Sequence, residues 1–438
     1  MNTKIAKYFS SDYLQQKAKN TGFFKRKSKL TSLHFFDVMM FGASTNTPFS
    51  LRESCVEASN RHNISITKQG IDSRFNEGAQ SFMKGVFEDI FHDQISSTYN
   101  LDFLKHFSSV NIKDGTKFQL HKSLKELFPG AGGSGTGAGV CIQTEFDLKS
   151  GVMTEFDITP EKQSDFKTAN KWAEKAKKSA LYIADLGYFN VSSFQKIIKA
   201  EASFLSLLVG SIKVFTLEME LICFDKIYKE MKRNKIIIKE MDVLIGIEAK
   251  LPVRLIIELV PDNIYTERIL KKTNKRNNKK KQISQEAKSR AHFNLMVTNV
   301  EKEHLSAENS YKLYRIRWQI ELVFKTWKST YSIDKVRQMS DNRFRCYLYA
   351  KLIWILVNTQ IVNLTQAKLH EDSRIRLSSI KCHRTLMLHL RKLHDALRSF
   401  STKGNSMIKK TVKILSINHE YEPRKDRVNL SDINMLFA

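Results

Sequence analysis

Apolar residues recur at helical spacing between residues 311 and 330. At about 100° per residue, one arc of the predicted helix collects Leu313, Ile316, Ile320, Val323, Phe324 and Trp327. The neighbouring arc is polar and collects Tyr314, Arg317, Glu321, Lys325 and Lys328. The pattern predicts an amphipathic helix with one buried edge and a polar edge beside it. Taken alone, Arg317 and Glu321 would form an ordinary i,i+4 ion pair that contributes about 0.2–0.5 kcal/mol.

Two acidic residues upstream each follow a predicted strand. In the segment SSVNIKDGT, the alternating Val110 and Ile112 lead to Asp114. In SALYIADLGYFN, a short apolar run leads to Asp185. Both runs have the period or composition of buried strands, so we expect each carboxylate at the end of a strand.

The segments around these strands predict a mixed fold. Residues 140–158 alternate like two strands joined by a turn at 149–151, and helices are predicted near 167–178 and 192–200. A further strand is predicted in SFLSLLVGS. The order β-β-β-α-β-α-β matches a ribonuclease-H-like α/β (α+β) fold, in which a mixed sheet carries helices on its faces. Acids at neighbouring strand ends can converge in such a sheet.

The rest of the chain divides by composition. The predicted units are a helical region (1–100), the mixed α/β domain in two pieces (101–210 and 301–375), a β-rich insertion (211–300) and a C-terminal helical region (376–438). Seven Lys or Arg between 271 and 281 predict a loop, because so many like charges do not pack together. The apolar run 346–364 contains Lys351, which favours a buried helix over a membrane span.

Residues 51–78 read as helix, loop and helix, with Thr67 as a plausible N-cap. The second helix would carry Lys68, Gln69, Ser73, Arg74 and Asn76. This arrangement fits a helix-turn-helix that binds DNA, and it equally fits a helix pair with no such role. The basic cluster at 25–29 likewise fits either DNA binding or a solvated surface.

Charge indicates the class of partner. The chain has 72 Lys and Arg against 45 Asp and Glu, a formal charge of +27, which favours a polyanion such as nucleic acid. The N-terminus lacks the apolar region of a signal peptide, and the five Cys show no pairing or zinc spacing, so we expect a reducing, cytoplasmic compartment. The glycine-rich tract 129–139 lacks the Lys of a nucleotide-binding loop, so no nucleotide cofactor is expected.

The spacing Tyr314-x2-Arg317-x3-Glu321-x6-Lys328 resembles the YREK signature of bacterial DDE transposases of the insertion-sequence-four family. The order of Asp114, Asp185 and Glu321 also resembles that of the family's three metal-binding carboxylates. The resemblance implies a ribonuclease-H-like catalytic domain and an N-terminal helical domain that binds the element's inverted repeats.

The resemblance also implies a chemistry. Asp114, Asp185 and Glu321 would hold two Mg²⁺ ions, which Mn²⁺ could replace, because hard divalent ions prefer oxygen ligands. The enzyme would cleave the ends of its element and join the 3′-hydroxyl ends to target DNA. Double-stranded DNA would be the partner, with a homodimer in the DNA complex and no membrane, in the bacterial cytoplasm at the nucleoid.

Further DNA contacts follow from charge and from the family. The expected contact residues are Tyr314, Arg317, Lys325, Lys328, Lys271, Lys272, Lys275, Arg276, Lys279, Lys280, Lys281, Lys68 and Arg74. Some relatives stack a flipped base on a Trp of the insertion. No Trp lies in 211–300 here, so stacking would fall to an aromatic residue such as Tyr265 or Phe293, or would not occur at all. Two alternatives stay open: a catalytically silent repressor descended from a transposase, and a host-defence nuclease on a similar fold.

Overall fold

Nine strands form one mixed sheet in the computed structural model, which describes residues 5–24, 28–94, 104–133, 135–277, 282–373, 377–399 and 402–419. The strands are β1 (Val110–Gln119), β2 (Gly139–Asp147), β3 (Val152–Pro160), β4 (Leu181–Ala184), β5 (Ser203–Leu207), β6 (Val214–Phe215), β7 (Ile238–Ile245), β8 (Leu251–Leu259) and β9 (Phe293–Thr298). Their order across the sheet is β3-β2-β1-β4-β5-β9-β8-β7-β6.

The first five strands have the predicted ribonuclease-H-like arrangement. Strand β1 pairs antiparallel with β2 and parallel with β4, and β5 adds parallel to β4. The turn between β2 and β3 contains Lys149–Gly151, as predicted, and the described part of the glycine-rich tract before Gly139 lies between β1 and β2. The fold class is therefore confirmed.

The predicted insertion extends this same sheet. Strand β9 pairs antiparallel with both β5 and β8, so the strands between 211 and 300 continue the catalytic sheet without a break. The segment also contains three helices that its β-type runs do not indicate. They are found at Phe224–Arg233, Asp262–Asn277 and Gln285–Ala291.

The helix Asp262–Asn277 corrects the loop expected at 271–281 over its first seven residues. No Gly or Pro interrupts it, and Glu267 forms an i,i+4 ion pair with Lys271. Lys271 and Lys272 are exposed, so the helix presents its like charges to solvent and does not have to pack them. Residues 278–281, including Lys279, Lys280 and Lys281, lie outside the described residues.

The N-terminal region is helical, as expected. In chain order its helices are α1 (Ser11–Asn20), α2 (Ser32–Ala43), α3 (Leu51–His62), α4 (Lys68–Asp72) and α5 (Glu77–His92). Thr67 caps α4 by accepting a hydrogen bond from the backbone N–H of Gly70, as predicted.

Helix α4 is shorter than the helix expected there. It ends at Asp72, so the prediction that Arg74 and Asn76 share it is wrong. Asn76 is instead the N-cap of α5, because its side-chain oxygen accepts the N–H of Ala79 and starts a new helix. Lys25–Lys27 lie outside the described residues.

The remaining helices follow, with labels in chain order. They are α6 (Asp165–Ala173), α7 (Val191–Lys199), α8 (Phe224–Arg233), α9 (Asp262–Asn277), α10 (Gln285–Ala291), α11 (Ala307–Ser329), α12 (Asp341–Ser373), α13 (Ser379–Leu388), α14 (Leu390–Ser399) and α15 (Thr402–Asn418). Helix α12 confirms the buried helix predicted at 346–364. Throughout the described ranges, no helix has the length and hydropathy needed to cross a lipid bilayer.

The sheet separates two hydrophobic cores. On one face, Ile112, Ile183 and Leu205 pack in a core shared with α11, α12 and the N-terminal helices. On the other, Tyr182 and Phe204 pack in a core shared with α6, α7 and α8. The alternation of side chains along each strand produces this division. Helix α11 is therefore fixed against β1 and β4, the two strands that precede or carry the predicted acids.

A buried ion cluster joins the N-terminal and C-terminal helices. The side chain of Asp37 on α2 is 0% exposed and lies 3.0 Å from a ring nitrogen of both His62 and His394. It also pairs with Arg61 and Arg398. Burial alone would raise the pKa of Asp37, but hydrogen bonds from His394, His62 and Arg398 hold it far below its usual range. The carboxylate therefore stays ionised and ties α2 to α14.

Candidate active site

Strands β1 and β4 bring the two predicted aspartates side by side. The parallel register pairs Lys113 with Ala184, and Asp114 and Asp185 are the next residues in the chain after this pair. Asp185 directly follows β4, as predicted. Asp114 does not end its strand, because β1 continues to Gln119 through its pairing with β2. It lies where β4 stops beside it, which opens space above its carboxylate.

Helix α11 supplies the third acid and the cation that joins all three. Atom Nη1 of Arg317 lies 3.1 Å from Asp114, and Nη2 lies 3.5 Å from Asp185 and 3.0 Å from Glu321. The three carboxylates, from residues 114, 185 and 321, thus converge on one guanidinium. The apolar arc of α11 is buried as predicted, with Ile320 at 0% exposed, and this packing turns the polar arc toward the two strands.

Burial and neighbouring charges shift the pKa values of Asp114 and Arg317. Burial raises the pKa of Asp114 to about 6, against the backbone N–H of Gly115 and the charge of Arg317, which lower it. Asp185 and Glu321 raise it further by repulsion. Burial would lower the pKa of Arg317, but the surrounding carboxylates and Tyr314 outweigh it and leave that pKa raised. The arginine is therefore a permanent cation among three acids.

The acids open into a cleft with a basic wall. The cleft has a volume of about 990 Å³, and Asp114, Asp185, Arg317, Glu321, Lys325 and Lys328 all contribute to its lining. Lys328 donates a hydrogen bond to the backbone carbonyl of Lys117 at 2.9 Å. The hydroxyl of Tyr314 lies 3.5 Å from the carbonyl of Ala184, and burial raises the pKa of Tyr314 to about 12. All four YREK positions thus lie beside the two strands.

The opposite wall contains residues that sequence reasoning missed. Asn46 and Thr47, from the loop after α2, line the cleft together with Ser332 and Lys335. Asn46 and Ser332 approach to 3.4 Å although 286 positions separate them in the chain. Buried Lys351 of α12 holds both segments through their backbone carbonyls. No local pattern marks these residues, because only the tertiary packing brings them together.

The other expected DNA contacts do not line this cleft. Lys68 is exposed on α4, while Arg74 donates to Ser28 at 2.7 Å and so has an intramolecular partner. Lys271 and Lys272 are exposed on α9. The backbone of Lys275 and Arg276 continues that helix.

The two aromatic residues considered for base stacking differ in accessibility. Phe293 is 3% exposed within the second core, which excludes it as a stacking surface. The ring of Tyr265 is stacked on His292 at 3.8 Å, and His292 is stacked on Tyr228 at 3.7 Å. One face of Tyr265 is therefore already covered.

The acids fit a divalent metal site by donor type. Asp114, Asp185 and Glu321 offer only oxygen ligands, which suits Mg²⁺ or Mn²⁺ better than zinc. Across the described residues, however, no three Asp, Glu, His or Cys side chains enclose a single point that could hold an ion. The three carboxylates are arranged around the guanidinium of Arg317 instead.

Comparison with known proteins decides the family. Residues 105–357, more than half of the chain, match the family described as transposase DDE domain. The chain belongs to this family. The match spans β1 to β9, α11 and the first half of α12, and so includes all three acids. Transposases of this family generally depend on divalent metal ions.

Full-length relatives agree with this assignment. The transposase for insertion sequence element IS231F of Bacillus thuringiensis subsp. israelensis is 26% identical over 447 residues, covering 98% of this chain and 94% of the relative. The transposase for insertion sequence element IS1151 of Clostridium perfringens is 26% identical over 452 residues, covering 98% and 93%. These comparisons support a transposase and do not support the repressor alternative.

Proposed function

We propose that this transposase binds the terminal inverted repeats of its own element, cleaves the element ends and joins them to target DNA. The observation that carries the proposal is the meeting of Asp114, Asp185 and Glu321 on one guanidinium, in a cleft that Lys325 and Lys328 also line. Three acids from three separate elements converge in this way only when the fold assembles them.

Asp114, Asp185 and Glu321 would hold two Mg²⁺ ions, with Mn²⁺ able to substitute. When bound, such ions activate the attacking water or 3′-hydroxyl and neutralise charge on the phosphoryl oxygens and the leaving group. In cleavage, a water oxygen bonds to phosphorus and the bond from phosphorus to the departing oxygen breaks, which leaves a 3′-hydroxyl. In joining, that 3′-hydroxyl attacks a target phosphodiester and displaces a target 3′-oxygen.

Protein side chains orient the strand for these steps. Lys325 and Lys328 lie one and two turns beyond Glu321 along the helix, where each adds a positive charge for phosphate. Arg317 can clamp a phosphate with two parallel hydrogen bonds once its carboxylates are otherwise neutralised. Tyr314 can donate its hydroxyl to a phosphate oxygen, because its raised pKa keeps it protonated.

The partner and setting follow from the same proposal. Double-stranded DNA, as element ends and as target, would fill the cleft. The exposed lysines Lys68, Lys271 and Lys272 would contact the phosphate backbone of the DNA outside the cleft. A homodimer would form in the DNA complex, without a nucleotide cofactor, at the nucleoid of the bacterial cytoplasm. The N-terminal helices would hold the inverted repeats.

The test separates chemistry from binding. Asp114→Asn, Asp185→Asn and Glu321→Gln should each retain affinity for the inverted repeat but lose Mg²⁺-dependent nicking of DNA that carries the element ends, by roughly a thousandfold or more. Glu308→Gln is the matched control, because Glu308 lies on the same helix and, among the described residues, forms its ion pair with half-buried Lys312. Nicking at the wild-type rate in any of the three variants would refute the assignment.

A further inference from the structure

The side chain of Arg317 lies where the acids would need a cation. It contacts all three carboxylates at 3.0–3.5 Å, and it is only 15% exposed. Its Nε is buried and has no hydrogen-bond partner among the residues that the structure describes. The two terminal nitrogens of the guanidinium are directed at different acids, Nη1 at Asp114 and Nη2 at Asp185 and Glu321. The planar fork of Arg provides this arrangement, and the single ammonium of Lys does not.

A cation is needed here because three acids repel one another. Asp114 is largely buried at 14% exposed, while Asp185 and Glu321 are 46% and 47% exposed. Bringing them together without a positive charge would be unfavourable in the partly desolvated cleft. Arg317 therefore stabilises the folded acids when no metal is bound.

The same contacts conflict with metal binding. A carboxylate oxygen that accepts from a guanidinium nitrogen at about 3 Å must turn to reach a divalent ion, whose oxygen ligands lie at about 2.0–2.6 Å. The absence of any point enclosed by three acids in the described chain fits this conflict. Arg317 must leave at least some of its three partners before the acids can close on an ion.

We propose that Arg317 is an internal cation that occupies the metal site until divalent ions displace it, and that the displaced guanidinium then binds a DNA phosphate. Metal and DNA binding would be positively coupled, because each favours the state in which Arg317 has left the acids. This inference rests on the proposed function, since it takes the three acids to be the metal ligands.

The test measures metal binding directly and without DNA cleavage. Free Mn²⁺ is followed by electron paramagnetic resonance during titration of the full-length wild-type protein and of its variants. Arg317→Gln should bind Mn²⁺ on the order of tenfold more tightly than wild type, because no guanidinium competes for the acids. Arg317→Lys, which keeps the charge but loses the fork, should also bind more tightly than wild type.

A matched control separates competition from a general charge effect. Lys325→Gln removes one positive charge from the same cleft, one turn from Glu321, without removing an ion pair to the acids. It should raise the Mn²⁺ affinity by less than about threefold, since exposed charges are screened by solvent and salt. Equal effects of Lys325→Gln and Arg317→Gln, or an unchanged affinity in Arg317→Lys, would overturn the inference.

Two further measurements complete the test. A short duplex of the element end should raise the Mn²⁺ affinity of wild type by several-fold more than that of Arg317→Gln, and equal enhancement in both would refute the coupling. Glu321→Gln should weaken Mn²⁺ binding in every background. If Glu321→Gln binds Mn²⁺ as tightly as its parent protein, the proposed metal site is wrong. If Glu321→Gln weakens Mn²⁺ binding but Arg317→Gln does not strengthen it, only the role given to Arg317 is wrong.

Discussion

Lys351 provides a sharp test of how the cleft wall is held. It is 3% exposed, and its ammonium donates to the carbonyls of Tyr331 at 2.7 Å, Ser332 at 2.9 Å and Thr45 at 3.4 Å. Burial lowers the pKa of Lys351 to about 7, against a weaker opposing effect of Asp334. The substitution Lys351→Met keeps an unbranched side chain that is one atom shorter, and it removes both the charge and the hydrogen bonds.

The expected effect depends on pH, and its sign follows from proton binding. An unfolded lysine keeps its proton up to about pH 10.4, whereas folded Lys351 loses it near pH 7. Between these values the unfolded state binds more protons, so this residue makes the protein more stable as pH rises. From pH 7 to pH 9 the gain is about 2 kcal/mol, after allowing for partial titration at pH 7. Lys351→Met lacks this gain.

The assay is denaturant unfolding of wild type and Lys351→Met at both pH values. Other titrating groups affect both proteins equally and cancel in the difference. The advantage of wild type over the variant should therefore grow by about 2 kcal/mol between pH 7 and pH 9. Two proteins whose stabilities change in parallel would show that Lys351 is not a desolvated ammonium, and the account of the cleft wall would be wrong.

Two other variants test the fold and the DNA surface. Asp37→Asn should lower the free energy of unfolding by about 3–5 kcal/mol at pH 7, because it leaves the largely buried guanidinium of Arg398 facing a neutral amide. Because the pKa of Asp37 is depressed in the folded state, wild type should lose this stability as pH falls below about 4. Denaturant unfolding curves that coincide for wild type and Asp37→Asn at pH 7 would contradict the prediction. Replacing both Lys271 and Lys272 by Gln should make the slope of the log binding constant against the log salt concentration shallower. The slope should change by about 0.9 for each phosphate contact that is lost. Fluorescence anisotropy measures this slope, with Lys229→Gln on α8 as control, and equal slopes in the two variants would exclude α9 as a contact.

The local elements of the site follow from the sequence because their signals are short-range. The 3.6-residue period places Ile320 in the core and Glu321 beside it, and the structure confirms that helix. The apolar run before Asp185 becomes β4, whose end fixes that residue. A spacing pattern can predict such features, since the residues that decide them are adjacent in the chain.

Other features depend on contacts that the sequence does not display. The capping oxygen of Asn76 divides what reads as one helix, so Arg74 lies in a connection and faces Ser28. The wall formed by Asn46 depends on its meeting Ser332 across 286 positions, and on a lysine from a third segment. Charge density alone also misleads at 271–277, because an exposed helix separates like charges as well as a loop does.

The pairing of β9 with β5 has a consequence for attempts to shorten this protein. Residues 211–300 look like an insertion that could be deleted, but β9 pairs with the outer edge of β5. Strand β5 is the second strand from β1, which carries Asp114. Removing the segment would leave a row of unpaired amide and carbonyl groups on an apolar strand, a surface that recruits strands from other molecules. A shortened enzyme would therefore tend to self-associate, unless charged residues or proline were introduced on the newly exposed edge strand.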